Sequence, residues 1–257
     1  MTGRKSSVRP GVRQAEIAEL IAKHGKASVE ELAVRFDTSA ETIRRDLGVL
    51  ADMGQVRKIH GGARAIDVRE EGPFDERMKL NAAAKRIIAE KAFRLVAPRQ
   101  TLFIDTGSTT LVCADVLARV KDLTVITNSV RIARTFAQGT GGSRVFLLGG
   151  QFALDNSQTV GPATVNEING YQVDHAILTV GAIDSTGVMD YSHDEAQVAR
   201  AMIGSASQVS VVVDHSKFGK TAPFRVCGLD QIDQLVVDVE PDDSLDQALA
   251  SSQVEVI

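Results

Sequence analysis

The sequence of 257 residues contains no tryptophan, two cysteines, and only 4% aromatic residues. The two cysteines, Cys113 and Cys227, have neither metal-ligand nor disulfide-framework spacing, so we predict reduced thiols and no metal site. No apolar run approaches the roughly 20 residues that a transmembrane helix needs. The basic N-terminal stretch MTGRKSSVRPGVRQ is followed by no apolar segment, which argues against a secretory signal. We therefore expect a cytoplasmic protein, and its 44% apolar content is enough to form a core.

Charge is distributed unevenly along the chain. Residues 1–65 hold 12 Lys and Arg against 8 Asp and Glu, a net charge of +4, whereas residues 66–257 hold 17 against 25, a net charge of −8. A small basic part joined to a larger acidic part is typical of a nucleic-acid-binding module on a separate body. A net charge of +4 over 65 residues is also ordinary for a structural domain. The motifs therefore have to decide between a nucleic-acid-binding module and a structural domain.

Three short helices are predicted in the basic part. The first covers about residues 11–24, where apolar residues recur at helical spacing. Ser28 and Glu31 have the spacing of a capping box, which predicts the start of the second helix. Thr38 and Glu41 have the same spacing and predict the start of the third. Short helices joined by tight turns are typical of a helix-turn-helix.

The third helix carries two adjacent arginines in the stretch TSAETIRRDL, residues 38–47. Its apolar residues recur at i, i+4 and i+7 and can pack inward, which leaves Arg44 and Arg45 largely outside. In a helix-turn-helix the start of the second helix points at base edges, and arginine can bond guanine at two atoms. Two alternatives are a solvated helix face and a local salt bridge from Asp46 to one of the arginines.

A small basic β-wing is predicted after the third helix. In GQVRKIHGGAR, residues 54–64, Val56 and Ile59 flank two basic residues, and Gly61-Gly62 turns the chain. Such a wing suits contact with the DNA backbone or minor groove. The predicted DNA-contacting residues are Ser28, Ser39, Thr42, Arg44, Arg45, Arg57, Lys58 and His60.

The stretch AIDVREEGPFDERMKL has charges, a glycine and a proline, but no clean period. We place a linker at 66–75, between a DNA-binding domain at 10–65 and a second domain at 76–257. The second domain opens with an alanine-rich helix whose predicted inner face includes Ile87 and Ile88. Six β-branched runs then alternate with helical patterns, and most lack polar alternation, as strands buried on both faces do. This predicts an α/β, Rossmann-like parallel sheet with helices on both faces. The runs lie at 101–107, 123–129, 144–150, 175–181, 209–216 and 235–239.

Polar and glycine-rich segments follow several of these strands. Because ligands bind beyond the carboxyl ends of parallel strands, these segments should meet in one crevice. IDTGSTT, residues 104–110, would place backbone N–H groups and hydroxyls at a helix start, which suits an anion. A capped turn without any ligand is the alternative for that segment alone. The predicted effector-binding residues are Asp105, Thr106, Gly107, Ser108, Thr109, Thr110, Asn128, Gly149, Gly181, Glu195, Asp214 and Lys217, the last supplying a positive charge.

Several strings together resemble the DeoR family of bacterial transcription regulators over about residues 10–240. They are TIRRDL and HGGA in the first domain, and LFIDTGSTT, VITNS, LLGG, DEAQVARAMI and DHSKFG in the second. The resemblance implies a winged helix-turn-helix followed by a sensor domain similar in fold to ribose-5-phosphate isomerase. It also implies three partners: double-stranded operator DNA, a phosphorylated sugar or polyol that releases the DNA, and further copies of the chain.

Within that family, the stretch VMDYSHDEAQVARAMI is especially similar to glycerol-3-phosphate regulon repressors, which makes glycerol-3-phosphate a leading candidate effector. Those repressors tend to have Tyr-His-Glu where this chain has Tyr-Ser-His-Asp-Glu, residues 191–195, so the effector is left open. Glu195 either contacts the ligand or only begins a helix. His193 is either a ligand contact or a loop residue.

An enzyme is the rival hypothesis, namely a sugar-phosphate isomerase or deaminase with an attached domain. Asp105, Glu195 and Asp214 are carboxylates that could act as a base. We nevertheless expect a regulator without catalytic residues or cofactors, because the first 65 residues match a DNA reader that an isomerase does not need. A third reading is an oligomerisation body that binds no metabolite.

Overall fold

The structure is a computed structural model that describes residues 10–53, 55–65 and 72–257. The chain forms two compact units, one within residues 1–70 and one within 71–257. Most of the predicted linker at 66–75 lies outside the described residues. Within the described ranges, every helix is too short or too polar to span a bilayer.

The first unit is a winged helix-turn-helix, as predicted. Three helices pack around the apolar side chains of Ile17, Ile21, Ile43 and Leu47, each at most 2% exposed. Three antiparallel strands lie beside them in the order β1-β3-β2. In chain order the elements are α1 (Pro10–His24), β1 (Lys26–Ser28), α2 (Val29–Arg35), α3 (Ala40–Asp52), β2 (Val56–Ile59) and β3 (Gly62–Ala65).

The helix starts in this unit agree with the sequence in one case and differ in another. The Ser28–Glu31 capping box is confirmed: Glu31 N donates to Ser28 Oγ at 3.1 Å, and Ser28 N donates to Glu31 Oε2 at 2.9 Å. The Thr38–Glu41 capping box is wrong. Ser39 caps α3 instead, because its hydroxyl accepts from Thr42 N at 3.1 Å.

The wing depends on a glycine at its inner strand. A Cβ at Gly62 would lie 2.3 Å from the Ala27 carbonyl oxygen, closer than any side chain can approach. Only a residue without a side chain lets β3 lie against β1, a strand that the sequence analysis missed. Gly61 turns the wing with a φ of 76°, which favours glycine.

The second unit is built on a seven-stranded sheet whose neighbouring strands are all parallel. Its elements are α4 (Phe74–Lys79), α5 (Ala82–Phe93), β4 (Thr101–Ile104), α6 (Ser108–Leu117), β5 (Thr124–Thr127), α7 (Val130–Gln138), β6 (Arg144–Leu147), β7 (Gln151–Ala153), β8 (Gln158–Val160), α8 (Pro162–Ile168), β9 (Val173–Leu178), β10 (Ala182–Asp184), β11 (Gly187–Asp190), α9 (His193–Gly204), β12 (Ala206–Val212), β13 (Phe224–Cys227), β14 (Gln234–Val236), α10 (Asp243–Ser251) and β15 (Glu255–Val256). The order in the main sheet is β15-β14-β12-β9-β4-β5-β6. All six predicted strands are therefore confirmed.

Two apolar clusters cover the faces of the sheet, as a sheet buried on both sides requires. One edge departs from that rule. On β6 the side chains of Phe146 and Leu147 are 44% and 46% exposed, because no further strand lies beyond it in the sheet. The inner face of α5 also differs from the prediction. Ile88 is buried, whereas Ile87 is 48% exposed.

The two cysteines lie inside this unit as free thiols. Cys113 and Cys227 are both buried. Burial raises the pKa of each thiol to about 12, so both stay protonated at neutral pH and are poor nucleophiles.

Candidate functional site

The outer face of α3 presents the two arginines that the sequence singled out. Arg44 and Arg45 are exposed. Arg44 Nη1 lies 3.5 Å from Glu41 Oε2, but the two side chains are 59% and 77% exposed, so this ion pair contributes little. The expected alternative of a salt bridge from Asp46 to an arginine of α3 is not what the structure shows. Asp46 turns inward and binds α1, where Arg13 Nε lies 2.6 Å from Asp46 Oδ2.

The wing contributes basic side chains to the same face. Lys58 Nζ lies 3.3 Å from the position that a Cβ of Gly48 would take, so the side chain reaches over α3 one turn beyond Arg44. His60 is exposed beside the turn of the wing, and the side chain of Arg57 lies outside the described part of the chain.

The hydroxyls of the other expected DNA contacts are engaged at helix starts. Ser28 caps α2, and the Ser39 hydroxyl lies 2.9 Å from that of Thr42. Ser39 and Thr42 therefore lie at the N-terminal end of α3. In a recognition helix, that is the end that approaches the bases.

A polar pocket opens at the carboxyl ends of β4, β5 and β9, where the topology predicts a ligand site. Four predicted effector residues line it: Asp105, Thr106, Asn128 and Glu195. The sequence analysis missed the remaining lining residues, which are Arg77, Gln158, Thr179, Val180, Asp190 and Ala199. The pocket thus combines three carboxyl groups, two amides and one guanidinium.

Hydrogen bonds join four of the lining residues into one chain along the pocket wall. Thr106 Oγ1 donates to Asn128 Oδ1 at 3.2 Å, and Asn128 Nδ2 donates to Gln158 Oε1 at 3.2 Å. Gln158 Nε2 then donates to Glu195 Oε1 at 2.6 Å. The order of donors fixes the amide orientations, so the wall is preorganised for a polar ligand.

Asp105 is a buried carboxyl group of the pocket, 7% exposed. Both of its oxygens accept from Thr179 N, at 3.1 and 3.2 Å. Burial raises the pKa of Asp105 well above its ordinary value, and the nearby charges of Asp190 and Glu195 add to the shift. A protonated Asp105 can donate to a ligand oxygen as well as accept from one.

The start of α6 lies directly after Asp105 and Thr106. Gly107 caps this helix without a side chain, and hydrogen bonding within the helix begins with Leu111 N donating to Gly107 O at 3.0 Å. The backbone N–H groups of residues 108–110 therefore have no acceptor within the helix. A Cβ at Gly107 would lie 2.0 Å from Thr179 Cγ2, so glycine permits the close approach of β9. Ser108, Thr109 and Thr110 are buried around this turn.

Eight predicted effector residues do not line the pocket, namely Gly107, Ser108, Thr109 and Thr110 at the start of α6, and Gly149, Gly181, Asp214 and Lys217. Gly149 N donates to Glu167 Oε2 at 2.7 Å, and a Cβ at Gly181 would lie 2.6 Å from the Tyr191 ring. Asp214 accepts from Asn81 Nδ2 at 2.8 Å and caps a short 3-10 helix that contains Lys217. Burial raises the pKa of Asp214, but hydrogen bonds from Ser216 and Asn81 outweigh it and leave the pKa lowered.

The structure places the two residues of α9 whose roles the sequence left open. Glu195 lines the pocket and also lies in the first turn of α9, where its N–H donates to Ser192 Oγ at 3.3 Å. His193 begins α9 and packs against the Phe224 ring, with 5.4 Å between centroids, outside the pocket lining.

The residues that were missed had weak signals or none. Arg77 lies in FDERMKL, next to the predicted linker, and Gln158 lies in a hairpin without a motif. Asp190 lies within VMDYSHDEAQVARAMI, the stretch that is similar to glycerol-3-phosphate regulon repressors. It is the one missed lining residue that the sequence could have indicated.

An exposed basic helix-turn-helix and a separate pocketed α/β body together define a ligand-responsive, DNA-binding transcriptional regulator. The DeoR-like helix-turn-helix domain matches residues 13–69, and the DeoR C terminal sensor domain matches residues 80–239. The chain belongs to the DeoR family.

Curated relatives agree with this assignment. The glycerol-3-phosphate regulon repressor of Haemophilus influenzae is 34% identical over 89% of this chain and 89% of its own length. The repressor of the same name from Escherichia coli is 32% identical over 95% of this chain and 97% of its own. The transcriptional repressor AccR of Agrobacterium fabrum is 34% identical over 88% of both chains. These relatives are named as repressors rather than enzymes, which favours the regulator over the isomerase or deaminase.

Solved structures show more distant likenesses. Ribose 5-phosphate isomerase A from Methanocaldococcus jannaschii is 19% identical, with a TM-score of 0.40 over 55% of this chain and 56% of that chain. The translation initiation factor eIF-2B from Pyrococcus horikoshii OT3 is 14% identical, with a TM-score of 0.47 over 94% of this chain and 95% of that chain. The fold assignment rests on the sheet itself and on the family match.

Proposed function

We propose that the chain represses a carbohydrate or polyol catabolic operon in the cytoplasm and is released from its operator by a phosphorylated sugar or polyol. The observation that carries the proposal is the polar chemistry of the pocket. Its lining combines a guanidinium, which suits an anion, with carboxyl and amide groups, which suit hydroxyls, and Asp105 and Thr106 of the lining lead directly into the start of α6.

sn-Glycerol-3-phosphate is the leading candidate effector, since two relatives are named for a glycerol-3-phosphate regulon. It has one phosphate and two hydroxyls, groups that a guanidinium and the carboxyl and amide groups of the pocket can bind. We would measure fluorescence anisotropy of the protein on DNA upstream of its own gene, at fixed salt because affinity depends on it. Release by sn-glycerol-3-phosphate, a pentose phosphate or a hexose phosphate, but not by the unphosphorylated parent, supports the proposal. Tight binding that no phosphate ester disturbs contradicts it.

Arg44 and Arg45 are proposed as the main DNA contacts. Arg45→Ala should weaken operator binding by about 5–150-fold if the arginine bonds a base, the equivalent of ~1–3 kcal/mol. An arginine that holds phosphate should instead lower the salt slope by about one. Lys23→Ala is the control, an exposed basic residue on the last turn of α1. Unchanged operator affinity in both the Arg44→Ala and the Arg45→Ala variants would contradict the assignment.

Homo-oligomerisation is also proposed, because one helix-turn-helix makes few contacts and two linked copies bind a repeated operator far better. The uncovered edge of the sheet supports self-association through the second unit. Phe146 and Leu147 on β6, and Phe152 and Leu154 on the adjacent hairpin, are all at least 44% exposed. A monomer at micromolar concentration in analytical ultracentrifugation would contradict this part of the proposal.

A further inference from the structure

Arg77 is the one basic side chain among the described residues that line the pocket. The pocket also holds the carboxyl groups of Asp105, Asp190 and Glu195, so an incoming anion meets acidic neighbours. A phosphate can bind there only where positive charge is concentrated. Helix α4, which carries Arg77, packs against α6, the helix that begins directly after Asp105 and Thr106 of the pocket lining.

Helix α4 is also the first helix of the second unit. It follows residues 66–71, the segment of chain that leads from the DNA-binding unit. A displacement of α4 is therefore passed by covalent connection to that segment. The pocket residues that follow strands of the sheet lie further along the chain from residues 66–71.

Both ends of α4 are held by specific contacts. At its start Phe74 is 2% exposed and lies under two guanidinium groups, Arg77 at 5.3 Å and Arg131 at 4.5 Å from the ring centroid. At its end the buried Lys85 ammonium donates to the carbonyl oxygens of Arg77 and Leu80. These contacts hold α4 in the arrangement that the structure shows.

The Arg77 side chain joins the chain of hydrogen bonds along the pocket wall. Its Nη2 donates to Asn156 Oδ1 at 2.7 Å, and Asn156 Nδ2 donates to Glu195 Oε1 at 2.7 Å. A neutral amide oxygen is a weaker acceptor for a guanidinium than a phosphate, which binds through two parallel charge-assisted bonds. An effector phosphate can therefore replace Asn156 as one partner of Arg77.

We propose that Arg77 binds the effector phosphate and that its change of partner, from Asn156 to phosphate, passes pocket occupancy to α4. The inference rests on the proposed function. It assigns the positive charge of the site to Arg77 rather than to Lys217, which lies outside the pocket lining. For the effector to shift an equilibrium, it has to bind one arrangement of α4 more tightly than another, and the bond from Arg77 to phosphate would supply that difference.

Arg77→Gln tests the binding role, and Arg131→Gln is the matched control. Both substitutions remove a guanidinium from the Phe74 ring, but only Arg77 lines the pocket. Titration calorimetry with sn-glycerol-3-phosphate, or whichever phosphate ester releases the wild type, should show at least a tenfold higher Kd for Arg77→Gln. The Kd of Arg131→Gln should stay within twofold of wild type. Operator affinity without effector should be unchanged in both.

Arg77→Lys tests the transmission to α4. Lysine keeps the charge but cannot form the two parallel bonds, so binding should survive in part while coupling weakens. Coupling is the ratio of effector Kd with and without saturating operator, typically 5–150-fold for such regulators. We expect this ratio to fall toward one in Arg77→Lys, a change that a merely structural role would not produce.

Three results would overturn the inference. They are an Arg77→Gln Kd within twofold of wild type, an equal loss of binding in Arg131→Gln, and a loss that appears in Lys217→Met but not in Arg77→Gln. A wild-type protein that binds none of the phosphate esters removes the proposed function together with the inference. A wild type that is released normally, with Arg77→Gln unaffected, removes the inference alone.

Discussion

Removing the carboxylate of Asp46 should strongly destabilise the DNA-binding unit while leaving the second unit intact. Arg13 Nε lies 2.6 Å from Asp46 Oδ2, and Gln14 Nε2 donates to Asp46 Oδ1 at 2.9 Å. The side chains of Arg13 and Asp46 are only 8% and 4% exposed. In Asp46→Ala the arginine keeps its charge in a buried site, which typically costs ~3–5 kcal/mol. A unit of about 60 residues has a total stability of roughly 3–9 kcal/mol, so little margin is left.

Hydrogen exchange measured by mass spectrometry on the full chain separates the two units. Peptides from α1 and α3 should exchange about 100–4,000-fold faster in Asp46→Ala, since each ~1.4 kcal/mol corresponds to a factor of ten. Peptides from residues 72–257 should be unchanged. Operator binding should be lost, while effector binding persists.

Two control variants make the reasoning refutable. Glu41→Ala removes the exposed ion pair on the same helix and should change stability by less than ~1 kcal/mol. The double variant Arg13→Met, Asp46→Leu removes both charges and should recover most of the lost protection. Protection in Asp46→Ala within threefold of wild type would refute the assignment of a stabilising buried pair.

Two further predictions concern the second unit. Burial lowers the pKa of His175 to about 4, against about 6.5 when unfolded, so the fold excludes the protonated ring. The contribution of His175 to the free energy of unfolding is fully present above pH 6.5 and falls by up to ~3 kcal/mol as the pH drops toward 4. Urea unfolding should show this pH dependence in the wild type and a flatter pH profile in His175→Gln. Gly107→Ala places a methyl group 2.0 Å from Thr179 Cγ2. It should lower the free energy of unfolding by ~1–3 kcal/mol and also weaken effector binding. Gly204→Ala, where nothing lies within 4 Å, should be neutral in the same thermal melts and calorimetry, and equal behaviour of the two variants would contradict the packing argument.

The fold was largely predictable because its signals are local. Apolar spacing gives α1 to α3, and unalternated β-branched runs give the six strands that the sequence analysis named. The elements that escaped are short or depend on distant partners. β1 has three residues, and it forms only because β3 comes back beside it.

The site was predictable only in part, for a related reason. Asp105 and Asn128 follow strands directly, so the topology alone places them at the sheet edge. Arg77 and Gln158 come from a short helix and a hairpin that have to fold back onto that edge, and no motif marks either residue. The direction of a charged side chain is equally hidden: the sequence places Arg45 and Asp46 side by side, but helical geometry turns one outward and the other toward α1.

The self-contained core of the winged unit has a consequence for engineering. Ile17, Leu32, Leu47 and Val56 belong to one apolar cluster whose described members all lie between Pro10 and Ala65. Such a module can be transplanted in front of a different sensor without exposing its interior. Joining this DNA-binding unit to different sensor domains would then place a single promoter under the control of new metabolites, which is a route to genetic circuits built from exchangeable domains.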